Sequence, residues 1–264
     1  MKKMLCLTAL CAALVLMTGS AFAQSMNLHS TGAAVHNPNP ASKPSYCKPC
    51  LFYGGDWNNT SPDWVIFANA DGAAFGGLVQ MYNAFKVPAG QTWNVTGLFA
   101  NIGFIGIDKI DPAKPEYNLH KKMSAGNGGK KVAQGKKKGT TVATGRTASS
   151  GAGDVTEYTV LVKGLTGITL PAGTYYEDVT PPCDSTQDSA CGSALYYESD
   201  TFDDSEAKQG ANHFGPKEPT GLNFQNGAAF GLNYVQINAD YCTSVGYPAV
   251  ACNWMSAGVI GTQQ

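Results

Sequence analysis

Two groups of carboxylates in this sequence have spacings that chemistry could use. Glu157 lies in an alternating stretch at 155–163, and Glu177 and Asp178 follow the aromatic pair Tyr175-Tyr176. On neighbouring strands, Glu157 and either of the other two could meet across a sheet; plain surface acids are the alternative. Glycoside hydrolysis needs little more than two carboxyl groups about 5 to 10 Å apart across a cleft. The second group is Glu198-Ser199-Asp200-Thr201-Phe202-Asp203-Asp204-Ser205-Glu206. Hard oxygen ligands such as Asp200, Asp203, Asp204 and Glu206 suit a structural calcium ion, which takes six to eight oxygens. The spacing is not that of an EF-hand, since no Gly stands at its sixth place and no Glu at its twelfth. A solvated acidic loop is the alternative.

Other catalytic groups are sparse. No serine sits in a G-x-S-x-G elbow; the nearest, Ser256, has Trp254 where the first glycine belongs. Of four histidines, His29 and His36 fall in an N-terminal leader and His120 in a basic stretch, which leaves His213 alone beside Asn212 and Phe214. Six of the eight cysteines lie beyond residue 23, in an order that suggests three local disulfides: Cys47 with Cys50, Cys183 with Cys191 and Cys242 with Cys252. Cys47-Lys48-Pro49-Cys50 also has thioredoxin-like spacing, but Pro-rich coil precedes it and no βαβ pattern surrounds it. Zinc is disfavoured, because only that pair is C-x2-C and no histidine follows at a finger's interval.

Binding chemistry is better represented. Aromatic faces stack on pyranose rings while amides and carboxylates bond the hydroxyls. Candidate platforms are Trp57 with Asn58 and Asn59 beside it, Trp64, Tyr196, Tyr197 and Trp254. Each has core or turn packing as its plainer explanation. Trp57, set between Gly54-Gly55-Asp56 and Asn58-Asn59, is the most loop-like. Charge is segregated: ten basic residues against Asp111 and Glu116 between 109 and 146, and ten acids against Lys208 and Lys217 between 177 and 218. The basic stretch is rich in glycine and reads as a long flexible loop insertion at 109–150. Such a loop would be solvated, close back on the acidic pole, or bind an extracellular polyanion such as an acidic polysaccharide. Specific nucleic-acid recognition is not expected, because the lysines lack interleaved aromatics and the planar Arg that grips phosphate.

These groups need elements to hold them. Only 14% of the 264 residues are charged, against about 25% in an ordinary domain, while 31 glycines and 14 prolines are present. Such a balance weakens helices and favours many short strands joined by turns. Lys2 and Lys3, an apolar run at 4–17 and Ala21-Phe22-Ala23 form the order of a secretory signal peptide, residues 1–23, cleaved before Gln24. The expected product is secreted, or periplasmic if there is an outer membrane. No later run is long enough to span a bilayer. Residues 24–50 lack periodicity and read as a disordered leader. From Leu51 on, strand patterns recur. Val79, Met81, Phe85 and Val87 share one parity, as do Trp93, Val95 and Phe99. The parity then changes to Ile102 and Phe104, which predicts a β-bulge near Ala100-Asn101. Val155, Tyr158, Val160 and Val162 point mostly inward. Val87-Pro88-Ala89-Gly90 is echoed by Leu170-Pro171-Ala172-Gly173, through either internal duplication or similar turns feeding similar strands. The expectation for 51–264 is all-β: a single antiparallel β-sandwich, jelly-roll-like.

The φ-Pro-Ala-Gly turn with Trp93, the stretch at 164–176, Asn212-His213-Phe214-Gly215 and the terminal stretch at 254–261 together resemble the β-sandwich domains of unknown function in bacterial exported proteins. That resemblance covers roughly 51–261 apart from the basic insertion, and it implies a fold without a chemistry. Such relatives often carry a C-terminal sorting helix; this chain shows none before Gln264, which favours release. The function expected from sequence is a secreted, non-catalytic interaction or glycan-binding module, with a carbohydrate-active enzyme on a jelly-roll scaffold as the alternative.

Overall fold

A computed structural model describes residues 28–29, 44–56, 63–64, 66–68, 70–72, 77–105, 114–150, 153–181, 195–199, 213–216, 219, 221–227, 231–244 and 255–264. The strands are β1 (Leu28–His29), β2 (Cys50–Tyr53), β3 (Asp63–Trp64), β4 (Ile66–Ala68), β5 (Ala70–Gly72), β6 (Gly77–Ile105), β7 (Glu116–Lys121), β8 (Lys130–Lys136), β9 (Gly139–Ser150), β10 (Gly153–Thr180), β11 (Leu195–Ser199), β12 (Asn223–Gly227), β13 (Leu232–Ile237) and β14 (Ala257–Gln263). One short helix, α1 (Ala239–Ser244), is present among the described residues. The chain is thus all-β, and the described pairings are antiparallel. The main sheet is open, with the order β13-β12-β6-β10-β7-β8.

Its spine is the ribbon of β6 and β10, which run antiparallel from Val155↔Ile105 to Glu177↔Asn83. The outer edge of β6 is taken in turn by β5, β12, β14 and β11, and that of β10 by β9 and β7. Two irregularities bend the ribbon. Pro171 pairs with Thr92 and Gly173 with Val87, so residues 88–91 stand against Ala172 alone. The two φ-Pro-Ala-Gly echoes therefore form opposite sides of one corner. Further along, Lys163 pairs with Gly97 and Ile168 with Val95, so residues 164–167 stand against Thr96. Gly164 and Gly167, at φ 68° and 73°, supply the left-handed backbone this excursion needs.

The expected bulge is therefore displaced. It lies at Thr96 rather than at Ala100-Asn101: Trp93 and Val95 are followed in the same core by Leu98, Ala100, Ile102 and Phe104. Phe99 instead joins Cys47, Tyr53, Leu161 and Ile260 on the reverse face. Because both faces are buried at this point, alternation alone does not tell them apart. The main core also holds Val79, Phe85, Val87, Val160 and Val162. Phe85 stacks on Phe52, Trp93 and Tyr175, with ring centroids 5.9, 6.0 and 5.8 Å away. Each such pair adds about 0.5 to 1.5 kcal/mol beyond the area it buries.

Two boundaries differ from expectation. The leader's last residues are ordered: Cys47 is fully buried, the Cys47–Cys50 disulfide is formed, and Gly261 N–H donates to the Pro49 carbonyl at 3.0 Å. The basic stretch is not a flexible loop over 114–150, where it forms β7, β8 and β9. Its lysines and glycines mask a short apolar alternation. Leu119 is a core residue, with Tyr117, Val132 and Ala133 packed against it. Lysines on the exposed side of an edge strand are a common guard against unwanted pairing.

The sheet curls so that its two ends touch. Although β13 and the β7–β8 hairpin lie at opposite ends of the strand order, Gly126 N–H donates to the Tyr234 carbonyl at 3.1 Å. The Tyr234 ring lies so close over Gly128 that a Cβ there would sit 2.4 Å from Cζ. Inside the curl, Tyr82, Ala84, Met123, Tyr176 and Phe224 form a third apolar cluster.

Candidate functional site

Three polar assemblies stand out among the described residues. The first joins the segment at 44–56 and the C-terminal strand to the ribbon. Arg146 on β9 pairs through Nη1 with Asp56 Oδ1 at 3.1 Å and through Nε with Glu157 on β10. Tyr53 donates to Asp56 at 2.6 Å, and Asn101 Nδ2 donates to the hydroxyls of Tyr53 (3.1 Å) and Ser256 (2.7 Å). Ser256 donates onward to the Gly55 carbonyl at 2.7 Å, and the Thr159 hydroxyl lies 2.5 Å from Asn101 Oδ1. Burial works against the Arg146 charge, but Glu157, Tyr53 and Asp56 outweigh it and raise the guanidinium pKa. All of these side chains are buried, so the network acts as a structural clasp.

The second assembly lies on one face of β6, β10 and β7. Asp178 Oδ2 accepts from Asn118 Nδ2 at 2.9 Å and from Gln80 Nε2 at 3.1 Å, and Thr180 donates to Oδ1 at 2.8 Å. The same two amides reach Glu116 Oε1 at 3.3 and 3.4 Å, so two carboxyl groups share one pair of amide donors. Tyr82 donates to Gln80 Oε1 at 3.0 Å, which fixes that amide's orientation. Asp178 is fully buried, and burial, assisted by the neighbouring Glu116, pushes its carboxyl up to about 7 despite the hydrogen bonds it accepts. Near neutrality it therefore carries a proton for much of the time. Glu116 reaches the surface and lies 3.8 Å from Lys136 Nζ. On the next position of the same face, His120 places Nδ1 2.6 Å from the Gly128 carbonyl, and burial lowers its pKa. Facing a carbonyl oxygen, Nδ1 carries a proton and donates it.

The third assembly is basic. Strand β8 ends the main strand order and exposes Lys130, Lys131, Gln134 and Lys136, with Lys138 exposed just beyond. Lys137 is tied down by a hydrogen bond to the Gly164 carbonyl. The positive pole seen in the sequence is thus a fixed edge.

The carboxylate pair expected from sequence does not form. Glu157, Glu177 and Asp178 lie on the same strand, Glu157 opposite Gly103 and Glu177 opposite Asn83, at the two ends of the ribbon. Glu157 is held by Arg146, and the carboxyl that Asp178 meets is Glu116. The signal that could have found this was the polar parity of the strands: Gln80 beside Tyr82, then Glu116, Asn118 and His120, then Asp178 and Thr180.

Of the aromatic platforms, Tyr196 and Tyr197 lie in β11, opposite Phe104 and Gly103. Trp64 is in β3, opposite Leu28. Trp57, Asn58, Asn59 and Trp254 lie outside the described residues, as do Asp200, Asp203, Asp204 and Glu206. Among the described residues no group of three or more His, Cys, Asp or Glu could hold a metal ion. Cys242, fully buried in α1, is disulfide-bonded; Cys252, its expected partner, and the expected pair Cys183 and Cys191 lie outside the described residues. Cys47 and Cys50 sit at no helix N-terminus that would activate a thiolate. No described helix is long and apolar enough to cross a membrane.

No family model, curated protein or solved structure matches the chain.

Proposed function

We propose that this chain is a secreted, non-catalytic β-sheet module, its strands packed as a jelly-roll-like sandwich, that binds an acidic polysaccharide or similar extracellular polyanion. The observation that carries this reading is the lysine-bearing edge: Lys130, Lys131 and Lys136 are exposed on an ordered strand, where their charges add up at one place. Trp57, with Asn58 and Asn59, and the aromatics Tyr196, Tyr197 and Trp254 are proposed as additional stacking contacts. A calcium ion held by Asp200, Asp203, Asp204 and Glu206 is proposed to brace the acidic segment. The test is binding of the secreted protein to immobilised acidic and neutral polysaccharides. Retention by acidic polymers that falls as salt rises is expected. Equal retention by neutral polymers, or none by any, would overturn the reading. Unchanged glycan binding in Trp57→Ala would remove the stacking contact alone.

A second reading, a carbohydrate-active enzyme, is favoured by one observation. Asp178, a carboxyl with its pKa raised to about 7, shares its amide donors with Glu116, and a carboxyl raised in this way can serve as a general acid. Its test is turnover of oligosaccharides: activity lost in Asp178→Asn would support it. Absence of turnover over a broad substrate panel would leave the binding module standing.

A further inference from the structure

The edge of β8 contains a feature that its composition does not show. Along β7–β8, Glu116 pairs with Lys136, Tyr117 with Gly135, Asn118 with Gln134 and Leu119 with Ala133. The next pair is His120 with Lys131, so Val132 is an extra residue on β8. In a regular register without this bulge, Val132 would stand opposite His120 and Lys131 would fall on the face of Leu119, toward the core. With it, Lys131 shares the face of His120, and the lysine comes into line with Gln134 and Lys136.

The row this makes has a cation at each end and an amide between. It runs beside the Glu116, Asn118 and Gln80 cluster, and its length is about 15 Å at roughly 3.3 Å per residue, allowing for the bulge. We infer that the row Lys131, Gln134 and Lys136 is a binding site for a linear polyuronate, and that the Val132 bulge exists to align it. This rests on the polyanion reading above.

The spacing selects the ligand. Two ammonium groups about 15 Å apart, with a neutral amide between them, can each meet a carboxylate of a uronate chain a few sugar units apart, with hydroxyls of the intervening units to meet Gln134. A densely sulfated chain would leave charges unmatched along the row. No aromatic side chain lies on β8, so stacked bases have no platform there. Lysine, a compact point charge, suits single carboxylates, whereas phosphate is better gripped by the planar fork of arginine.

The experiment measures the affinity of the secreted protein for an oligogalacturonate of defined length by calorimetry, with dextran sulfate and neutral dextran as comparison ligands. Lys131→Gln combined with Lys136→Gln is compared with Lys86→Gln combined with Lys163→Gln, which removes the same charge from exposed positions on other strands. The first pair is expected to weaken oligogalacturonate binding by about tenfold or more and the second by less than about threefold. Equal losses in the two pairs would overturn the aligned row while leaving polyanion binding in place. Tighter binding of dextran sulfate than of oligogalacturonate would overturn the assignment to polyuronate. No binding of any polyanion by the parent protein would remove both readings. Because Lys136 lies 3.8 Å from Glu116, each variant's melting temperature is measured alongside. Deletion of Val132 is a second route: it leaves Lys131 opposite His120 by regular alternation, so folded protein should retain the affinity, and a loss as large as that of Lys131→Gln would contradict the aligned row.

Discussion

Replacing Asp178 by Asn tests the electrostatics of the buried cluster. The Asp178 carboxyl is raised from an ordinary value of 3.8 to about 7, chiefly by burial. Between those values the folded chain binds a proton that the unfolded chain has released. Stability from this group is therefore complete below the unfolded value, falls as pH rises toward 7 and is flat above it. Each unit in that window corresponds to about 1.4 kcal/mol, so from pH 5 to pH 8 the loss comes to roughly 2 to 3 kcal/mol. Asn has the same shape, cannot ionise, and can still accept from Gln80 or Asn118. The expected result in urea denaturation is an unfolding free energy for Asp178→Asn that is flatter with pH than the parent's by that amount, with the variant gaining on the parent toward pH 8. Parallel pH curves for the two proteins would refute the reasoning, and a variant that gained toward pH 5 would reverse its sign.

Arg146→Ala should cost about 3 to 5 kcal/mol in denaturant unfolding, because it leaves Asp56 and Glu157 buried without their cation. Gly129→Ala should speed hydrogen exchange in the β7–β8 hairpin while leaving β14 unchanged, since φ there is 66° and a Cβ would lie 2.4 Å from the Lys121 carbonyl oxygen. Cys47→Ala with Cys50→Ala should lower stability by about 2 kcal/mol, the loop-entropy value for so short a closure. Calcium held in the acidic segment should appear as a melting temperature lowered by chelator; an unmoved one would remove the ion.

Much of the fold was legible in strand alternation. Val79, Phe85 and Val87 share the core with Val160 and Val162, as their parity required, and Cys47 with Cys50 form the local disulfide that their spacing suggested. What escaped the sequence has physical causes. Phe99 looks like a continuation of Trp93 and Val95, but the sheet is buried on both faces there, and an apolar residue of either parity finds a core. The corner at Ala172 and the excursion at 164–167 make β10 read as separate strands, so Glu157 and Asp178 looked free to face one another. The basic stretch resembles a solvated loop because lysine and glycine hide the few apolar residues, Leu119 foremost, that anchor it. Asp178 was visible as a carboxylate, but its partners Gln80, Asn118 and Glu116 come from strands far apart in sequence.

The most direct test of polyanion binding at the β8 edge is lysine-reactivity footprinting of the protein with and without an acidic polysaccharide. Acetylation read by mass spectrometry reports each exposed ammonium separately. Protection of Lys131 and Lys136 on adding the polymer, with Lys86 and Lys163 on other exposed positions unchanged, is the expected result. Protection spread evenly over all exposed lysines, or absent from β8, would contradict it.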